Sequence, residues 1–321
     1  MAEPLRRRVR ARALDGLTAV GPWLPRPLLD APLAAAAALA RRGRLGARAR
    51  ANLELALGAE LDGKARERLL RDIFRHGRRQ VHEWLRLARS DGAWVERTVE
   101  LDASVERLDE AVSAGRGVLV ATAHLGNRER LAARLSHRGY GGAVIGRQHP
   151  RNASAGWLPR VRRAHGVETL SQDAPPRRAL EVLRRGEVLG VLCDLEVRRL
   201  DGEYVPFFGH SALTIAAPAS LARATRLPLM PVRCVATGPH TYRLSVEEPL
   251  HLDRSLERSE ARRDLLTRLN ACFEAWIRED PAQWAWHQHR WRTRSGEREV
   301  MPLEERRRRD IEALGYDPRT E

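Results

Sequence analysis

The stretch Gly117-Val118-Leu119-Val120-Ala121-Thr122-Ala123-His124-Leu125-Gly126-Asn127-Arg128-Glu129-Arg130-Leu131-Ala132-Ala133-Arg134-Leu135 decides how the chain is read. Its first part, Val118 to Ala123, is an apolar and partly β-branched run of the kind that forms a buried strand. The run breaks at Leu125-Gly126-Asn127, and Leu131, Ala132 and Leu135 then recur at helical intervals. A histidine therefore stands where a strand ends, with a carboxylate five residues later. Within one continuous helix, positions i and i+5 lie about 140° apart and the side chains diverge. With His124 in the turn and Glu129 in the first helical turn they face each other, and Asn127 takes the N-cap place. A carboxylate accepting from one imidazole nitrogen fixes the tautomer and frees the other nitrogen as a general base. The same spacing also suits an ordinary hydrogen-bonded pair at a helix start. The surroundings must decide between the two.

Working outward, strands and helices alternate after this point. Gly142 to Arg147, Val167 to Leu170, Val188 to Cys193, Pro228 to Ala236 and Tyr242 to Val246 read as strands. Asn152 to His165, Pro175-Pro176 to Gly186, Thr214 to Arg226 and Ser255 to Glu279 read as helices. Before the central strand the chain is mostly helical, most clearly from Arg66 to Ala88, followed by a break at Ser90-Asp91-Gly92 and a short helix from Leu108 to Ala114. This order predicts an α/β fold, a sheet with helices on both faces and an N-terminal helical extension. In such sheets the ligand crevice lies beyond the strand C-termini, where His124, Arg147 and Asp194 all fall. The segment Glu203-Tyr204-Val205-Pro206-Phe207-Phe208-Gly209 reads as an aromatic loop, either plugging the core or flooring an apolar pocket.

Composition sets the class of partner. The 321 residues carry 57 basic and 42 acidic side chains, a net charge of +15, and only one of the basic residues, Lys64, is a lysine. An arginine bias of this size weakens arguments from any single arginine. The charge itself suits anionic phospholipid, nucleic acid or an acidic carrier protein. Cys193, Cys234 and Cys272 are odd in number, far apart and without a C-x-x-C, which points to a reducing compartment. Residues 17–40 are apolar-rich but broken by Pro22, Pro25, Arg26, Pro27, Asp30 and Pro32, too short a run for the roughly 20 residues of a spanning helix. Behind Arg6, Arg7, Arg8, Arg10 and Arg12, that segment reads either as an interfacial membrane anchor or as a helical extension packed on the domain. Trp284, Trp286 and Trp291 among basic residues suit a membrane interface. His287 and His289 lack a completing ligand cluster, so no metal is expected.

The motifs that do not occur narrow the chemistry. No G-x-S-x-G elbow is present, since Gly209-His210-Ser211-Ala212-Leu213 lacks the closing glycine. Neither a P-loop nor a G-x-G-x-x-G fingerprint occurs, which disfavours a nucleotide cofactor. With no serine or cysteine nucleophile beside His124, the simplest chemistry is base-assisted attack of a substrate hydroxyl on an activated acyl group.

With these residues in view, the chain resembles the bacterial lipid A biosynthesis (late) acyltransferases of the lysophospholipid acyltransferase family. His124-Leu-Gly-Asn127-Arg-Glu129 matches that family's H-x-x-x-x-D/E motif. Gly186 to Asp194, Val205-Pro-Phe-Phe-Gly209 with Thr214, Pro228-Leu-Met-Pro231, Pro281-Ala-Gln-Trp284 and Arg290-Trp291 follow in order, and Arg48 to Leu57 resembles the segment before the first large helix. The resemblance spans residues 44–295 and divides the chain into a membrane-associating segment (1–45), an acyltransferase domain (46–295) and a charged tail (296–321). It implies an acyl chain moved from acyl carrier protein or acyl-CoA to a hydroxyl of a glycolipid, foremost a lipid A precursor. It further implies work on the cytoplasmic face of the inner membrane; an N-terminal hydrophobic segment weaker than in membrane-anchored members points to peripheral attachment, and no cofactor, metal or nucleic acid is expected. His124 would be the base and Glu129 its orienting partner. Asn127 would shape the turn, Arg147 would contact phosphate or the thioester oxygen, and Asp194, Phe207, Phe208, Gly209 and Thr214 would line the substrate pocket. A phosphatidylinositol-mannoside-type acyltransferase shares the histidine motif and is the alternative, with a non-catalytic basic binding protein as the contrasting class. Two positions depart from the family pattern: Arg128, where tryptophan is usual, and Leu195, in a segment that is usually polar.

Overall fold

A computed structural model describes residues 16, 20–146, 157–197 and 200–293. Arg147, residues 152–156, most of residues 1–19 and the tail 296–321, all given roles or elements above, lie outside the described residues. The helices are α1 (Arg26–Arg42), α2 (Arg44–Leu57), α3 (Gly63–Leu87), α4 (Gly92–Thr98), α5 (Glu106–Ser113), α6 (Arg128–His137), α7 (Trp157–Ala164), α8 (Pro176–Arg184), α9 (Ala217–Thr225) and α10 (Arg258–Glu279). The strands are β1 (Val99–Leu101), β2 (Val118–Thr122), β3 (Gly142–Gly146), β4 (Val167–Ser171), β5 (Val188–Leu192), β6 (Gly202–Phe207), β7 (His210–Ile215), β8 (Leu229–Ala236) and β9 (Tyr242–Val246).

Seven strands form one sheet in the order β1-β9-β8-β2-β5-β3-β4, and only the β8–β9 pair is antiparallel. Every residue of β2 is buried, as a strand covered on both faces requires. Alternation along it feeds two cores. Leu119 and Ala121 join the apolar residues of α2, α8, α9 and α10 on one face. Val118 and Val120 join those of α4, α5 and α6 on the other. The chain leaves β2 through α6 and enters β3, which pairs not with β2 but with β5. β2 thus sits where connections diverge to either side, the place at which α/β sheets open a crevice.

Two elements differ from the expectation. Residues 203–209 are not a loop but most of β6, paired with β7 through a two-residue turn at Phe208 (φ 51°) and Gly209 (φ 73°). Positive φ at both centres is what a tight hairpin needs. Pro206 obscures the strand in the sequence, yet it is tolerated because this hairpin is a separate two-stranded sheet, so Pro206 has no second strand to supply with an N–H. In consequence Thr214 and Ile215 are strand residues, and the helix expected from Thr214 begins at Ala217.

A buried ion pair ties the helices to the sheet. Arg130 of α6 and Glu83 of α3 have no exposed side-chain surface and are hydrogen-bonded to each other. Arg130 Nη1 also donates to Thr98 Oγ1 at 2.7 Å, and His240 Nδ1 meets Glu83 Oε1 at 2.9 Å. Removing one partner of such a pair strands a buried charge. Arg130→Met is expected to lower unfolding stability by about 3–5 kcal/mol, and Glu83→Leu/Arg130→Met to recover much of that loss, both read by urea denaturation.

Candidate active site

The register of β2 and β5 builds the centre of the site. Thr122 pairs with Leu192, so two further residues on each strand bring His124 opposite Asp194. The Asp194 carboxylate accepts from His124 Nδ1 at 2.8 Å and from the His124 backbone N–H at 2.8 Å. Trp284 Nε1 donates a third bond to it at 2.7 Å. Nδ1 of His124 is thereby a donor, and Nε2 is left to take a proton. Burial alone raises the Asp194 carboxyl, but the charge of His124 and the bonds from His124 and Trp284 outweigh it and hold the group below its ordinary value.

The turn that follows is fixed on all sides. Gly126 has φ 56°, and a Cβ there would lie 2.1 Å from the Cys234 carbonyl oxygen, so only glycine fits. Gly126 N–H donates to Gln283 O, Asn127 N–H to Cys234 O, and Ala285 N–H to His124 O. Asn127 caps α6, as expected, by accepting from Arg130 N–H at 3.1 Å.

Glu129 is placed differently from its expected role. It does not bond His124: both its oxygens are taken by Arg162 of α7, through Nε and Nη2 at 2.8 Å each, with Arg128 Nε 3.6 Å away. The carboxylate orienting the imidazole is Asp194, because parallel strand pairing sets it alongside, whereas the first turn of α6 aims Glu129 at α7. Burial pushes the Glu129 carboxyl up, yet Arg162, Arg128 and His124 together hold it below its ordinary value. Burial lowers Arg128 in turn, opposed by Glu129.

A cavity of about 780 Å³ opens beside His124. Arg128, Arg162, His289 and Arg292 are among its lining, and Leu158, Leu170, Leu180, Leu195, Leu200, Ile215 and Leu221 give it apolar walls. The volume falls in the usual range for ligand pockets of roughly 300–1,000 Å³. Leu195 is therefore wall rather than a polar contact.

Several other expected site residues lie elsewhere. Asp194 sits beneath the imidazole rather than on the cavity surface. Phe207 and Phe208 are core residues packed on Trp284, Trp291 and Trp286, with Gly209 in the hairpin turn. Thr214 is fully buried and receives Arg290 Nη2 at 2.9 Å. Trp284 and Trp286 are buried too, so they are not interface aromatics. Among the described residues no cluster with metal-binding potential occurs.

Three contributors escaped the sequence reading. Arg162 is one of many arginines and carried no signal. Trp284 stands among basic residues, a setting that suggests surface, and only the packing turns it inward. Asn52 donates to Trp286 O at 2.8 Å and Gln288 O at 3.0 Å, anchoring the loop beside the cavity. Its signal was present: a polar residue within the apolar stripe Ala49, Leu53 and Ala56.

With this geometry in place, comparison with known families is decisive. The model of the bacterial lipid A biosynthesis acyltransferases matches residues 15–293. The chain belongs to that family. The protein is thus an acyltransferase of the lipid A type, and the resemblance read from its motifs holds over most of its length. A search of curated proteins gave no match.

The folded carboxyls of Asp194 and Glu129 both lie below their ordinary values. Each therefore stabilises the fold fully above its unfolded pKa, and that contribution is lost as pH falls through the depressed folded value. Stability is expected to decline below about pH 4. Asp194→Asn should flatten this acid decline in denaturation curves; parallel curves for the two proteins would show that Asp194 is not its source.

Proposed function

We propose that the protein transfers a fatty acyl chain from a thioester, on acyl carrier protein or coenzyme A, to a hydroxyl of a lipid A precursor. The carrying observation is a histidine oriented by a buried carboxylate at the edge of a large cavity with apolar walls. In this reading His124 Nε2 removes the proton of the acceptor hydroxyl as its oxygen attacks the thioester carbonyl. The tetrahedral intermediate collapses with breakage of the C–S bond, and the proton on Nε2 passes to the departing sulfur. The product is an ester and a free thiol, with the base restored. No protein nucleophile or cofactor is needed. Asp194 fixes the tautomer and stabilises the imidazolium, a role in which a neutral replacement fails.

The developing oxyanion needs a cation or N–H donors. Arg128, which lines the cavity and has only a long contact with Glu129, is our candidate for this. Arg162 is committed to Glu129, so Glu129 acts as the anchor that holds this basic wall, with its charge near the imidazole. Arg147 remains our candidate for a phosphate or thioester contact. Apolar walls suit an acyl chain, and the arginines in the lining suit anionic donor and acceptor headgroups.

Membrane attachment is proposed as peripheral. No helix among the described residues is long and apolar enough to cross a membrane. Trp23 is 70% exposed and Leu39 74% exposed, with Leu28 and Leu45 also outward on the first two helices. Such apolar residues near arginines suit an anionic lipid surface.

Lipid mass spectrometry of cells lacking the gene, complemented by wild type or His124→Ala, tests the main reading. Lipid A should lose one acyl chain, restored by wild type alone; a shift in a different glycolipid would name another acceptor, and no lipid change would refute the activity. In vitro, His124→Ala and Asp194→Asn are each expected to lower the rate by about 10²–10⁴-fold with the fold retained. Trp23→Ser/Leu39→Ser should weaken sedimentation with anionic vesicles while leaving the circular dichroism spectrum unchanged.

A further inference from the structure

Arg290 has no exposed surface, yet its hydrogen bonds all go to neutral acceptors. Nη1 donates to Leu213 O at 3.0 Å, and Nη2 to Thr214 Oγ1 at 2.9 Å and to Asn270 Oδ1 at 3.1 Å. A buried cation without an ion-paired anion is costly, and here the cost is offset by three neutral acceptors and the face of the Phe207 ring. Burial draws the guanidinium down to about 10, and of the groups that oppose this, Asp194 comes first, ahead of the Cys193 thiol, Glu196 and Glu274. Glu196 and Glu274 have donors of their own, Arg292 N–H and Thr293 N–H for the first and Arg278 for the second. Among the described residues Asp194 takes its donors from His124 and Trp284, so of these groups it is the one whose charge bears directly on the imidazole.

A row of contacts links the two. The Arg290 guanidinium lies 4.3 Å from the centroid of the Phe207 ring. Phe207 lies 5.8 Å from Trp284, whose Nε1–H bonds Asp194, which in turn holds His124 Nδ1. We propose that Arg290 is a positioning residue for acyl transfer: through Phe207 and Trp284, and through its own charge, it fixes Asp194 as the ionised acceptor that orients His124. The inference rests on the reading of His124 as the base. It gives the segment 284–290 a role in catalysis although Arg290 touches no substrate. The bland alternative is a staple joining β7 to α10, which would affect stability alone.

Acyl transfer from an acyl thioester to a lipid A precursor, measured with the full chain across pH, separates these. Arg290→Met is expected to lower kcat about 10²-fold, as a misplaced base does, while KM stays near the wild-type value. The acid limb of kcat/KM should move to higher pH, because loss of the cation favours the protonated His124–Asp194 pair. Arg290→Lys, which keeps the charge, should hold that limb closer to wild type. Trp284→Phe removes one donor and keeps the ring, and the double variant Trp284→Phe/Arg290→Met should fall well short of the product of the two single losses. A folded Arg290→Met with unchanged kcat and pH profile, or losses that multiply in the double variant, overturns the proposal. Should Arg290→Met fail to fold, Phe207→Leu carries the test, since it breaks the row but leaves the bonds of Arg290. It should lower kcat severalfold and, with the charge still in place, leave the acid limb unmoved; full activity overturns the row. A wild-type protein no more active than His124→Ala would instead overturn the underlying reading of function.

Discussion

A carboxylate with no exposed surface survives as an anion only where its lone pairs are taken, and Asp194 meets that condition through three donors. They come from distant parts of the chain: the backbone and side chain of His124 beyond β2, and the indole of Trp284 beyond α10. The β2–β5 register, the turn at Gly126 and the segment after α10 must therefore all be in place before the charge is stable. When they are, the imidazole is already fixed in one tautomer. Folding and preparation of the base are in this sense one event, and the energy of burying Asp194 is tied to the orientation of His124.

The same logic explains how so basic a chain uses its arginines inside. Arg162 meets Glu129 with two parallel bonds, Arg130 reaches Glu83 and Thr98 together, and Arg290 spreads over two strand residues and a helix residue. Each arrangement uses the planar fork of guanidinium, which the point charge of lysine cannot reproduce. Exposed pairs such as Arg178–Glu168 contribute little by comparison. The net charge of +15 is thus a poor guide to mechanism: exposed arginines set the external field, and a few buried ones set geometry.

Much of the architecture was legible because it rests on local pattern. The apolar runs of β2, β5 and β8 and the stripe of α3 give their elements within a few residues. The hairpin β6–β7 was not, because Pro206 and paired phenylalanines resemble a loop until the absence of a second strand partner is known. At the site, His124 and the cap Asn127 were readable from a single turn. The identity of the orienting carboxylate was not. It depends on β5 lying beside β2, a pairing of residues 70 apart that spacing within one motif cannot report. Trp284 and Arg290 were hidden for a related reason: tryptophan and arginine side by side suggest a wet interface, and only tertiary packing turns them inward.

Glu129 remains the more informative residue of the motif for having missed its expected partner. Its carboxylate is bound by Arg162 and approached by Arg128, and both arginines line the cavity. Around one imidazole there are therefore two carboxylates and two guanidiniums, each carboxylate buried. Removing Arg162 would leave Glu129 with only the 3.6 Å approach of Arg128, and its poorly compensated charge near the imidazole would favour the imidazolium and disable the base. Removing Glu129 would leave the neighbouring cations Arg128 and Arg162 in mutual repulsion, displacing the wall that faces the substrate. A five-residue spacing from histidine to carboxylate is therefore intelligible without a contact between them. It places an anion in the first turn of α6, near enough to balance the arginines and far enough to leave Nδ1 to Asp194.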